Sequence, residues 1–146
     1  MKKTLTNTVQ EANIDNNMQD QWNIVANMLG LKQKTFFGGV ESCKFSVEEL
    51  SSVLDMGFTK PEQKQNQAPT VETFFNFGKQ AVASGAVVEY IGFLESKSRD
   101  DARLIIDGIK VTNFPESIDL ILEFSQTFHG ADEFTAKRDL LRAWYD

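Results

Sequence analysis

The chain has 146 residues, a net charge of −6 and a single cysteine, Cys43. That length fits one domain of ordinary size, and twelve phenylalanines in a chain that is 41% apolar supply enough core to exclude wholesale disorder. The acidity disfavours nucleic-acid backbones and anionic membranes and favours a basic protein as partner, while one cysteine excludes an intramolecular disulfide and suits a reducing, cytoplasmic compartment.

Residues 1 to about 16 are rich in Asn and Thr and read as a loose arm. Lys2 and Lys3 give the basic start of a signal peptide, but Thr4, Thr6, Asn7 and Thr8 interrupt the apolar stretch that should follow. No run of about 18 apolar residues is present, so no membrane span is expected. From residue 17 onward the chain reads as one α+β domain.

Met18, Trp22, Val25 and Leu29 share a helical face, with Asn17 able to cap the start and Gly30 to end it. Thr35 to Val40, with Gly38 and Gly39, suggest a short strand and a turn. Phe45-Ser46-Val47-Glu48-Glu49-Leu50 then carries the best local signature in the chain. Ser46 and Glu49 make a capping box, Phe45 and Leu50 a hydrophobic staple, and Gly57 a stop. Residues 59–70 are polar and bounded by prolines, as an exposed loop would be.

A third helix is expected over about Val71 to Ser84, with Val71, Phe74, Phe75, Gly78 and Val82 on one face. Glycine inside a helix costs roughly 1 kcal/mol against alanine, so Gly78 implies close approach of another element. Residues 86–112 read as a β-hairpin. Val87 to Leu94 and Arg103 to Val111 form its strands, 96–101 its turn, and Gly92 and Gly108 its candidate bulges, with a helix over part of 97–107 as the alternative. Pro115 suits the first position of a fourth helix, with Ile118, Ile121, Leu122, Ser125 and Phe128 as its buried stripe and Gly130 as its end. A fifth helix is expected from about Asp132, on the stripe Phe134, Leu141 and Tyr145; strand pairing of the chain end is the alternative.

The expected fold is therefore α+β, with four to five helices packed on a small, mostly antiparallel sheet containing the 87–111 hairpin. The expected core includes Phe74, Phe75, Val82, Ile91, Phe93, Leu104, Ile106, Ile121, Leu122, Phe128 and Leu141.

Candidate chemistry is sparse. His129 is the only histidine, and with Asp132 and Glu133 near it a metal site is conceivable. A histidine in the last turn of a helix is the plainer reading. Cys43 has no imidazole near it in sequence and reads as a structural thiol. Gly38-Gly39 lacks the Lys-Ser or Lys-Thr of a phosphate loop, and no serine lies in a nucleophile-elbow context. Trp22, Trp144 and Tyr145 could make an aromatic surface, although helical spacing favours core. Nothing implies a cofactor or a metal.

Glu95 and Lys97 at a strand end, with Asp107 on the neighbouring strand, could serve a small metal-dependent hydrolase or nuclease. The acidic surface and the lack of a basic groove weigh against it. Residues 101–146 hold five basic and nine acidic side chains, a net of −4. The expectation is a non-enzymatic protein-binding module of immunity, inhibitor or accessory type. Asp119, Glu123, Asp132 and Glu133 would dock its basic partner; Arg99, Asp100 and Asp101 read first as local ion pairs in the hairpin turn, with a second contact at the tip as the lesser alternative. A structural subunit of an oligomeric assembly is a third reading, and the sequence leaves the oligomeric state open.

Overall fold

The structure, a computed structural model, describes residues 18–31, 41–115 and 118–146. The expected N-terminal arm, the Asn17 cap and the 35–40 strand and turn lie outside them. Among the described residues four helices pack on a five-stranded, fully antiparallel open sheet in the order β1-β2-β3-β5-β4.

Residues 18–28 form α1. Trp22, Val25 and Ala26 turn inward. Gly30, at φ 68°, closes the helix as its position suggests. There Leu31 N–H reaches back to Ala26 O at 2.8 Å and Gly30 N–H to Asn27 O at 3.1 Å.

Strand β1 (Glu41–Phe45), which the sequence pattern did not mark, leads directly into α2 (Val47–Asp55). The capping box forms in full. Glu49 N–H donates to Ser46 Oγ at 3.1 Å, and Ser46 N–H donates to the Glu49 carboxylate at 2.9 Å. Phe45 and Leu50 are both buried beside it.

Helix α3 (Val71–Ala83) is capped by Thr70. Its buried face is Val71, Phe74, Phe77, Gly78 and Ala81. The expected stripe is thus turned by part of a residue step: Phe77 and Ala81 face the core, Phe75 is half-buried and Val82 is exposed. The expected close approach at Gly78 is real. A Cβ there would collide with the phenol of Tyr90, whose hydroxyl donates to Phe74 O at 2.8 Å.

The hairpin consists of β2 (Val87–Leu94) and β3 (Leu104–Thr112). Its register shifts between Ile91, which faces Gly108, and Gly92, which faces Ile106, so Asp107 is the extra residue of a bulge. The inner face carries Val88, Tyr90, Leu94, Leu104, Ile106, Ile109 and Val111, all buried. Ile91 and Phe93 were expected in that core, but strand alternation sends them to the opposite face, where both are half-buried.

Helix α4 is described over Ile118–Thr127, and the expected start just after Pro115 falls at residues 116–117, outside the described residues. Its buried residues are Leu120 and Phe124, continued by Phe128 after its end. Ile118 and Leu122, expected to be buried, point outward. The phase is set by the two phenylalanines, which have more area to bury than any other side chain on the helix. Phe74, Phe77, Phe124 and Phe128 form a ring cluster with centroids 5.0 to 5.5 Å apart.

The expected fifth helix is absent. Residues 132–146 form a second hairpin, β4 (Glu133–Lys137) and β5 (Leu140–Trp144), around a two-residue turn. Leu141, Ala143 and Tyr145 are buried, while Leu140, Arg142 and Trp144 alternate with them half-buried. That period of two outweighs the helical spacing of Phe134, Leu141 and Tyr145. β5 also pairs residues Gly108 to Val111 of β3, which would otherwise end the sheet as an open edge.

Beyond the end of β5, the 59–70 loop covers the rest of β3. Thr59 is fully buried. Its hydroxyl accepts from Leu104 N–H at 3.0 Å and donates to Leu104 O at 3.1 Å.

Candidate interaction surface

The residues of the metal-dependent reading are not brought together. Glu95 N–H bonds to Arg103 O, whereas Asp107 lies four residues farther along β3, about 13 Å at strand spacing. Lys97 donates to Asn23 Oδ1 at 2.9 Å and sits 5.6 Å from the centre of the Trp22 ring, so it is tied to α1. Among the described residues, no group of three His, Cys, Asp or Glu side chains could hold a metal ion.

Asp107 belongs to a different setting. The Trp144 indole donates to it, yet burial dominates and holds its carboxyl above the usual range. One of its oxygens, Oδ1, is buried without a hydrogen-bond partner.

At the hairpin tip the Arg99 guanidinium grips both oxygens of Asp101, at 2.7 and 3.0 Å, and Arg103 lies 3.5 Å from the same carboxylate. The hydrogen bond between Arg99 and Asp101 lowers the carboxyl pKa and raises that of the guanidinium. These charges are spent on one another, as in a turn held by local ion pairs. A cleft of about 370 Å³ lies between this tip and α1, with Trp22, Lys97, Ser98, Arg99 and Asp100 on its walls. Cys43 is buried opposite Gly92 on the inner face. His129 is exposed, with Nδ1 2.7 Å from Gln126 O.

The four C-terminal acids separate into two pairs. Asp119 and Glu123 stand one turn apart on α4, and Glu123 accepts from Gln80 of α3 at 2.6 Å. Asp132 and Glu133 belong to the start of β4. The Asp132 carboxylate accepts from Asp146 N–H at 2.7 Å, and Glu133 pairs with Arg142 at 3.4 Å. Glu133 faces Trp144 in register, on the side of the sheet away from the helices.

What the sequence reading missed is apolar. Ile118 is 76% exposed and Leu122 53% exposed, on the same outer crest of α4 as Asp119. Phe134 of β4 packs against Phe124 with ring centroids 5.6 Å apart, yet remains 44% exposed. The signal was available: Leu120, Phe124 and Phe128 recur every four residues and fix which side of α4 is buried.

No family model, curated protein or solved structure matches this chain.

Proposed function

We propose that this chain is a non-enzymatic protein-binding module that docks a basic partner on the outer crest of α4. One observation carries the reading. Two large aliphatic side chains, Ile118 and Leu122, stand exposed beside two carboxylates, Asp119 and Glu123, on a helix that carries no basic residue. Exposed apolar side chains rimmed by charge are what a docking surface offers, the former for affinity and the latter for steering and register. The chain's net charge of −6 adds a long-range attraction for a basic protein. A single buried cysteine suits work in a reducing, cytoplasmic setting.

Affinity capture with the tagged full chain tests this reading by comparing wild type with the Asp119→Lys/Glu123→Lys variant. The expected result is one basic protein recovered at low salt by the wild type, released as salt rises, and lost from the variant. Equal recovery by both proteins refutes it.

A further inference from the structure

The geometry points to β4 as a self-recognition edge, through which two copies of the chain pair antiparallel about a twofold axis at Thr135. β4 is the last strand of the sheet, and among the described residues no strand lies on its outer side. Its sequence and flanks read Asp132-Glu133-Phe134-Thr135-Ala136-Lys137-Arg138. The charges are reversed about the centre. Antiparallel pairing centred on Thr135 sets Glu133 opposite Lys137 of the second copy and Asp132 opposite Arg138, each twice by symmetry. Phe134 then faces Ala136, so the half-exposed ring meets a small side chain on the same face of the joined sheet. Cross-strand opposite charges stabilise a pair and like charges oppose it.

The same pattern argues against the alternatives. A parallel, in-register pair sets Glu133 against Glu133 and Lys137 against Lys137. An antiparallel slip by two residues in one direction sets Glu133 against Asp139, and in the other leaves no charged pair. A slip by one residue keeps one opposite-charge pair, Glu133 with Arg138 or Asp132 with Lys137, but turns the second copy's side chains to the opposite face and sets Phe134 against Lys137 or Thr135 instead of Ala136. Charged residues on an edge strand ordinarily discourage association, but here one register converts them from a barrier into the recognition element. The contacts of Glu133 and Lys137 within the protomer are long and exposed, 3.4 Å to Arg142 and 4.0 Å to Asp139, while Asp132 also accepts from Asp146 N–H at 2.7 Å. Such pairs yield readily to a second copy.

The result is a continuous ten-stranded sheet with both copies of α4 on one side of it, so two docking crests face the same way. A five-residue edge is small beside standard interfaces, so the dimer is weak and reversible. The inference stands on the edge strand alone and does not require the partner proposed for α4.

Sedimentation of the full chain over about 10 to 500 µM tests it, the range in which a small interface populates a dimer. The expected result is a dimer that dissociates on dilution. Glu133→Lys and Lys137→Glu, both at exposed positions, should each weaken it at least about tenfold. Mixing the two variants should restore association as a heterodimer, because every reversed contact is again between opposite charges. A wild-type chain that stays monomeric throughout overturns the inference. So does a dimer indifferent to both reversals, or a mixture that fails to associate.

Discussion

Gly78→Ala is expected to destabilise the protein, although helix propensity alone predicts the opposite sign. In a free helix the change should gain about 1 kcal/mol. In this fold the new methyl group would meet the Tyr90 hydroxyl and ring, and Val47 Cγ2 at 3.0 Å. Tyr90 is fully buried, and burial raises the pKa of its phenol, so the ring has no polar space to retreat into. Overpacking of this kind costs about 1 to 3 kcal/mol, and displacing the hydroxyl from Phe74 O costs about 1 kcal/mol more. The net expectation is a loss of about 2 kcal/mol, or about 6 °C in Tm for a domain of this size. Urea denaturation of wild type, Gly78→Ala, Tyr90→Phe and the double variant measures it. Phe74 O keeps its place in the helix when the hydroxyl is removed, so the double variant should lose less than the sum of the single ones. A neutral or stabilising Gly78→Ala refutes the packing argument.

Three further outcomes are expected. Ser46→Ala removes one half of the capping box and should cost about 1 kcal/mol in chemical denaturation. Thr59→Val keeps the shape but leaves Leu104 N–H and C=O buried without their partner, and should cost about 2 to 4 kcal/mol by the same measurement. Asp107→Asn should make the protein more stable at pH 7. The folded-state pKa of this carboxyl is raised by burial, so its ionisation opposes folding as pH rises from its unfolded value through its folded one. The advantage of the variant should therefore vanish in thermal melts below about pH 4 and be complete above the folded pKa.

The parts of the fold that were legible in the sequence are those fixed locally. The Ser46–Glu49 box, the stops at Gly30 and Gly57 (both at positive φ) and the 87–111 hairpin depend on near neighbours, and their residue types carry the geometry. What depended on distant contacts was misread. The phases of α3 and α4 follow from Phe77, Phe124 and Phe128 meeting one another across helices, a competition that periodicity within one helix does not reveal. Ile91 and Phe93 are as apolar as Tyr90 and Leu94, and only the pairing of the strands says which pair faces the helices. The chain end became a hairpin because β3 needed a partner along Gly108 to Val111.

That last error hid the most informative feature of the surface. The reversed charges of residues 132–138 have no special meaning on a helix and gain the one proposed above only on β4, which no other strand among the described residues pairs on its outer side. The acid cluster expected from composition likewise divides between α4 and β4 once the elements are placed. The exposed Ile118 and Leu122 emerge only when the buried side of α4 is known.

Photocrosslinking from α4 tests the docking reading most directly. A benzophenone side chain at Leu122 is compared with one at Val87, which is exposed on the face of the sheet away from the helices. Leu122 is expected to give adducts with a basic segment of one protein, diminished by salt, and Val87 none of these. Identical adducts from both positions, or adducts from Leu122 confined to a second copy of this chain, would contradict that reading.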